Sequence, residues 1–230
     1  MSTDRAAGVL LIGLPIAFNV FFFLLGRSFD YPGILRSPPG AVLSRVLAGG
    51  VQLKLLWYGF MLTAVLFAPL AVLIGQVLAR DGLDIVPVAT TIGVLAAIVQ
   101  FLGLARWPFA VPALARAYED PSSSPATREA AAVVFDAFNR YLGVAVGECL
   151  GYLLTGVWTL LVGIAMLRSS SFDDWLGWPG IVIGALLALG SLEFVGRFEE
   201  DGWKVAGTLV PIAYTVWSLW LLVAGIVLLA

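Results

Sequence analysis

Residues 124–168 read SPATREAAAVVFDAFNRYLGVAVGECLGYLLTGVWTLLVGIAMLR, and the character of the chain changes partway through. The first half is amphipathic, with Arg128, Glu129, Asp136 and Arg140 set among alanine, valine and phenylalanine. Ser124 followed by Pro125 suits the N-cap and first position of a helix, and Glu129 complements the helix dipole. From Leu142 to Leu167 the run is apolar. At 1.5 Å per residue it is long enough to cross the roughly 30 Å hydrocarbon core of a bilayer. Gly143, Gly147 and Gly151 recur every fourth residue across the join, and one carboxylate, Glu148, sits inside the apolar part.

The rest of the chain has the same solvent. Its 230 residues are 60% hydrophobic and 12% charged, with a mean hydropathy of +0.98. A soluble domain is about half apolar and about a quarter charged. Backbone groups in lipid must be satisfied internally, so spanning elements are helices or closed barrels. The apolar stretches here do not alternate, which selects helices. The expected fold is all-α: a polytopic transmembrane helix bundle in a single domain, residues 1–230. Six spans are expected, at about 6–25, 53–79, 86–105, 142–167, 181–197 and 208–229. Helices two to four are expected to extend into the cytoplasm through amphipathic segments at about 41–52, 109–118 and 125–141. The first apolar run exceeds the core of a signal peptide and has no small-residue cleavage site, so it reads as a retained helix. Pro69 is expected to kink the second span. Tyr31-Pro32-Gly33 and the 168–180 stretch, with its belt residues Trp175 and Trp178, read as loops.

With six spans, the termini share a face with the 80–84 and 168–178 loops. That face carries Arg5, Arg80 and Arg168, three of the 13 basic residues, and the opposite face carries the other ten. The positive-inside rule places the ten-residue face in the cytoplasm and both termini outside, in an inner membrane of bacterial type.

Histidine is absent, which removes the commonest general base and metal or haem ligand. Cys149 is the single cysteine, so no intrachain disulfide or cysteine-based zinc site forms, and packing is its simplest role. No cofactor and no metal are expected. A net charge of −2 carries no nucleic-acid signal. Neither a Gly-x-Ser-x-Gly nor a Ser-x-x-Lys motif is present, and an enzyme is the least supported class.

Glu148 is the most informative residue. It lies roughly 9 Å inside the end of its span, where a carboxylate is costly and faces the bundle interior with a partner. On an α-helical wheel Tyr141, Tyr152, Thr155 and Thr159 fall within about 40° of it, a polar stripe on one face. Arg106, Lys54 and, deeper, Gln100 are the expected neighbours from other spans. The bland reading is a structural ion pair or a protonated carboxyl bonded to tyrosine. The functional reading is a pocket for a cation, an amine or a proton. The candidate ligand-binding set is Glu148, Tyr141, Tyr152, Thr155, Arg106, Gln100 and Trp158. Trp158, Trp217 and Trp220 lie well inside spans, where packing competes with cavity lining. Glu193 and Arg197 stand i, i+4 and suit a structural helix pair. The glycine row suits close helix packing, with Gly180 and Gly184 of span five as a facing row, and it also permits a homodimer.

Three runs resemble a known family. They are Arg106-Trp107-Pro108-Phe109-Ala110-Val111-Pro112, Phe135-Asp136-Ala137-Phe138-Asn139-Arg140-Tyr141-Leu142-Gly143, and Trp175-Leu176-Gly177-Trp178-Pro179-Gly180. They are similar to those of bacterial membrane proteins grouped as domain-of-unknown-function family 4386, over nearly the whole chain. The resemblance implies a membrane fold of six to seven helices and supplies no activity or catalytic residue.

Two functional classes follow. One is a protein, transport-like or simply binding, that holds a small or amphipathic ligand, a lipid included, near Glu148. It requires an open cavity lined by Glu148, Tyr152 and aromatic residues. The other is a structural or regulatory subunit that engages a protein partner through its cytoplasmic helices. It requires a filled bundle and an exposed apolar stripe on Ala131, Phe135 and Phe138.

Overall fold

Chain segments that cannot hydrogen-bond to lipid close their own backbone bonds, and every long apolar stretch here does so as a helix. The computed structural model describes residues 2–196 and 202–230. It contains helices α1 (Thr3–Phe29), α2 (Pro39–Leu78), α3 (Ile85–Phe109), α4 (Val111–Glu119) and α5 (Pro125–Phe138). A π-helical segment (Asn139–Leu150) joins α5 to α6 (Gly151–Met166), and α7 (Asp174–Gly190) and α8 (Lys204–Leu229) follow. No strand occurs among the described residues. Six helical units are long and apolar enough to cross a membrane: Thr3–Phe29, Pro39–Asp81, Ile85–Glu119, Pro125–Met166, Asp174–Phe194 and Lys204–Leu229. Their outward faces carry Phe23, Leu55, Val182 and Ile226, each more than half exposed, which is a surface made for lipid rather than water. The protein is a multi-pass membrane helix bundle.

The spanning helices form a ring. α1 packs on α2, α2 on α3, α3 on α6, α6 on α7, α7 on α8, and α8 back on α1. Neighbouring axes in packed helices lie 8–10 Å apart, so six in a ring leave a central space about as wide as a seventh helix. Side chains must fill that space or it stays open.

One end of the ring is tied by short polar links. Arg80 pairs with Asp4 at 2.8 Å, and Asp81 accepts hydrogen bonds from Ser169 and Ser170. The N-terminus and the 79–84 and 167–173 connections therefore share this narrow end. The other, broad end carries the 30–38 loop, α4 and α5. There Trp107 stacks on Trp57 at 4.5 Å and meets Phe135 at 6.1 Å, which seats α5 against the bundle. Ser124 caps α5 by accepting from the Thr127 amide at 3.1 Å.

Several local expectations change. The long second helix breaks at Gly50, where φ is +55°, a conformation that L side chains rarely adopt. The 168–180 stretch is not all loop, because α7 starts at Asp174. Tertiary contact holds its first turns: Gly177 and Gly180 lie against Gly163, and Trp220 Nε1 donates to the Leu176 carbonyl at 2.9 Å. Arg197, the expected partner of Glu193, lies outside the described residues, as does the end of the expected fifth span. Glu193 lies 3.9 Å from Arg36 of the 30–38 loop.

Candidate functional site

The two halves of the ring fill their centre differently. Toward the narrow end three large side chains cross the axis. Phe67 from α2 meets Trp158 of α6 edge-on at 4.9 Å and Trp217 of α8 at 5.8 Å. Trp217 Nε1 reaches across the ring to Thr159 Oγ1 at 2.9 Å, and the Thr159 hydroxyl donates to the Thr155 carbonyl at 2.7 Å. Around this plug Leu70, Ile74, Ala165 and Leu187 are almost fully buried.

Toward the broad end no such plug exists, and a cavity of about 220 Å³ remains. Its walls come from α1 (Phe18, Asn19, Phe22), α2 (Phe60), α3 (Gln100, Arg106, Trp107), the π-helical segment (Gly143, Gly147, Glu148), α6 (Tyr152) and α8 (Pro211, Tyr214, Thr215), with Tyr31 and Pro32 added from the loop after α1. Aromatic rings dominate. Tyr31 meets Trp57 at 5.1 Å and Phe22 at 5.5 Å, and Tyr152 meets Tyr214 at 5.6 Å. A dry cavity of about 150 Å³ holds benzene, so the space here suits a molecule of roughly one or two rings.

The polar groups on this wall fall into two sets. The first set has at least one protein partner each, although Arg106 Nε is buried without one. Arg106, buried, donates from Nη1 to the Gly103 carbonyl and from Nη2 to Asn139 Oδ1 at 3.1 Å, and its guanidinium lies over the Trp107 ring at 5.1 Å. Gln100 Nε2 donates to Thr155 Oγ1 at 2.8 Å, and the Tyr214 hydroxyl also shares a hydrogen bond with Thr155. Asn19 is held by the Pro15 carbonyl and by Ser218 of α8, at 2.7 and 2.9 Å. The second set is not satisfied. Among the described residues, no hydrogen bond or ion pair within 4 Å reaches the Glu148 carboxylate, and none reaches the hydroxyls of Tyr31 and Tyr152. Groups that desolvation would penalise if left alone thus face the same open space.

The π-helical segment explains which candidate residues meet. Closing i→i+5 bonds puts roughly 4.3 residues in each turn instead of 3.6. A spacing of four is then almost one full turn, so Gly143, Gly147 and Gly151 stay in line instead of drifting around the helix. They face Arg106, Gly103 and Gln100 of α3 in that order, and a Cβ on Gly103 would come within 2.7 Å of the Gly147 Cα. The glycine row presses the segment onto α3 and delivers Glu148 to the cavity beside it. The same geometry corrects Tyr141. Seven residues separate it from Glu148, nearly two α-helical turns but well short of two π turns, so the two point to different sides. Tyr141 is 67% exposed and does not line the cavity.

Glu148, Tyr152, Arg106 and Gln100 lie on one cavity wall system. Thr155 is fully buried and touches the site only through Gln100 and Tyr214. Trp158 belongs to the plug, packed against Phe67 and Gly93, and does not line the cavity. Lys54 is exposed, away from Glu148. Gly180 and Gly184 face Gly163 and Gly156 of α6 rather than the Gly143–Gly151 row. Phe18, Phe22, Tyr31, Phe60 and Tyr214 escape the sequence reading because they lie on four separate elements whose inward faces only the ring closure defines. Tyr31-Pro32 was visible only as a helix breaker. Of the apolar stripe that a protein partner would need, Ala131 and Phe135 are buried within the chain and Phe138 is exposed. Among the described residues no cluster of three or more metal-ligating side chains forms.

A family model described as a domain of unknown function, DUF4386, matches residues 6–225. The chain belongs to this family. The DUF4386 match takes in all six spans apart from the outermost residues of the first and last. No curated protein and no solved structure matches this DUF4386 chain.

Proposed function

We propose that the protein binds a small, partly apolar molecule inside the broad half of the ring, with Glu148 as the main polar contact. One observation carries the reading: an unpartnered carboxylate shares an aromatic-lined cavity with two unpartnered tyrosine hydroxyls. Ligand sites are mostly apolar concavities with a few convergent polar groups, which this arrangement resembles. A structural role would have matched Glu148 to Arg106, but the Arg106 donors that hydrogen-bond go to Gly103 and Asn139. The axial plug of Phe67, Trp158 and Trp217 favours a holding site, or one side of an alternating-access cycle, over a continuous pore.

Native mass spectrometry of the protein in mild detergent, wild type beside Glu148→Ala, tests this reading. A specific bound mass on the wild type that disappears from the variant is the expected result. No bound mass on either, with the variant merely less stable, would make Glu148 structural.

The orientation proposed with this site has both termini outside the cytoplasm and the broad end inside, in an inner membrane of bacterial type. It rests on the ten-to-three asymmetry of basic residues. A reporter fused after Ala230 should be active only outside the cytoplasm, and cytoplasmic activity would invert the arrangement.

A further inference from the structure

We infer that the ligand is a small organic monocation, a single ammonium attached to an apolar or aromatic body. This rests on the cavity reading above and names the chemistry that the cavity would select. The free groups on the wall can all accept: the Glu148 carboxylate, the Gln100 carbonyl, and the Tyr31 and Tyr152 hydroxyls, which can also donate. Glu148 offers two carboxylate oxygens without a donor. Gln100 commits its amide nitrogen to Thr155 at 2.8 Å, which leaves its carbonyl oxygen with no donor among the described residues. Gln100 packs against Gly151, one turn from Glu148, where a Cβ on the glycine would sit 3.1 Å from the glutamine Cγ. A primary ammonium carries three donors and no acceptor, and it complements this set.

The rest of the wall fits the rest of such a molecule. The π faces of Tyr31, Phe22 and Tyr152 attract a desolvated cation and bury its body. Arg106 sets the limit on charge. Its Nη1 and Nη2 are held by Gly103 and Asn139, its Nε is buried without a partner, and the guanidinium lies over Trp107, so it contributes a fixed positive charge at one side of the cavity. A carboxylate ligand would set a second negative charge against Glu148, and a second positive charge on the ligand would meet Arg106. One charge at the Glu148 side is the arrangement that satisfies both.

The test is isothermal titration calorimetry of the full-length protein in lipid nanodiscs with three phenyl-bearing probes of similar size: 2-phenylethylammonium, 2-phenylethanol and phenylacetate. The ammonium is expected to bind at least about tenfold tighter than the alcohol, as suits a charge-assisted contact over a neutral one. The carboxylate is expected to give no detectable binding. Glu148→Gln should bring the ammonium down to the affinity of the alcohol, and measurable binding of the alcohol by the variant reports that its cavity is intact. Equal binding of ammonium and alcohol by the wild type, or a preference that survives Glu148→Gln, overturns the monocation and leaves the cavity reading standing. Heat from none of the three probes overturns both. The wild-type ratio decides by itself if the variant does not fold.

Discussion

The two halves of the ring use similar materials and reach opposite outcomes. In the narrow half, glycine meets backbone. A Cβ on Gly156 would come within 2.6 Å of the Gly184 carbonyl, and one on Gly163 within 2.8 Å of the Gly177 carbonyl. These seams draw α6 and α7 together, and Phe67, Trp158 and Trp217 fill the axis between α2, α6 and α8. In the broad half, the glycines press the π-helical segment onto α3 instead. The helices α1, α3 and α8 are left lining a gap that their aromatic rings coat without filling. Small residues decide where backbones touch; the large ones then either close the axis or leave a chamber. Tight packing in lipid is available only where small residues face each other, and the spacing of glycine along two helices therefore places the cavity.

The largest expected effect comes from breaking the closed half. Gly156→Leu forces side-chain carbon into the Ala188 and Gly184 backbone and should destabilise the bundle by about 3 kcal/mol or more, read as thermal unfolding in detergent. Gly147→Ala, set against Gly103 with its Cβ at 3.2 Å from the Cα, should lose only about 1 kcal/mol. Equal losses would remove the distinction between a rigid half and a tolerant one.

Arg106→Met is next. It strips the donors from the Gly103 carbonyl and Asn139 Oδ1 and should destabilise by about 2 kcal/mol. Hydrogen exchange should rise through residues 139–150 while the Phe67–Trp158–Trp217 plug stays protected. Exchange that rises evenly across both halves would show that Arg106 holds the bundle as a whole.

Glu148→Leu sharpens the comparison in the other direction. It removes a partly buried carboxylate with no protein partner and should leave the ligand-free protein unchanged or more stable by about 1 kcal/mol. A loss of about 3 kcal/mol would mark a structural ion pair.

The smallest effect lies outside both halves. In the 120–124 turn, Asp120 accepts from the Ser122 hydroxyl at 2.6 Å and from its amide at 2.8 Å. The Ser122 hydroxyl, then its amide, holds the Asp120 carboxyl below the usual range. A folded-state pKa below the unfolded one means the contribution is present above about pH 4 and is lost as pH falls through the folded value. The protection of the Ser122 amide against exchange, relative to its intrinsic rate, should fall only in acid, and Asp120→Asn should remove that pH dependence.

Much of this was legible in the chain. Hydropathy gives the six spans, because lipid leaves a long apolar segment no alternative to a helix. Ser124-Pro125 marks the start of α5, since the cap is a contact between neighbours in sequence. Glu148 stands out because an ionisable group inside a span needs a reason. Legibility stops where position depends on helical pitch or on other elements. Tyr141 falls beside Glu148 at 3.6 residues per turn and away from it over a π-helical turn, and the twelve residues 139–150 carry no local signal for the wider pitch. The sequence leaves Trp158 free to face plug or cavity; Phe67, which also meets Trp217, holds it in the plug.

The sequence by itself therefore determined the solvent, the number of crossings and the one carboxylate that required an explanation, all properties of single segments. Tertiary structure alone decided that the helices close into a ring, that its narrow half is plugged, and that Glu148 meets Tyr31, Gln100, Arg106 and Tyr152 around an open space. Those outcomes depend on which faces of helices far apart in the chain come together, and no single segment encodes that.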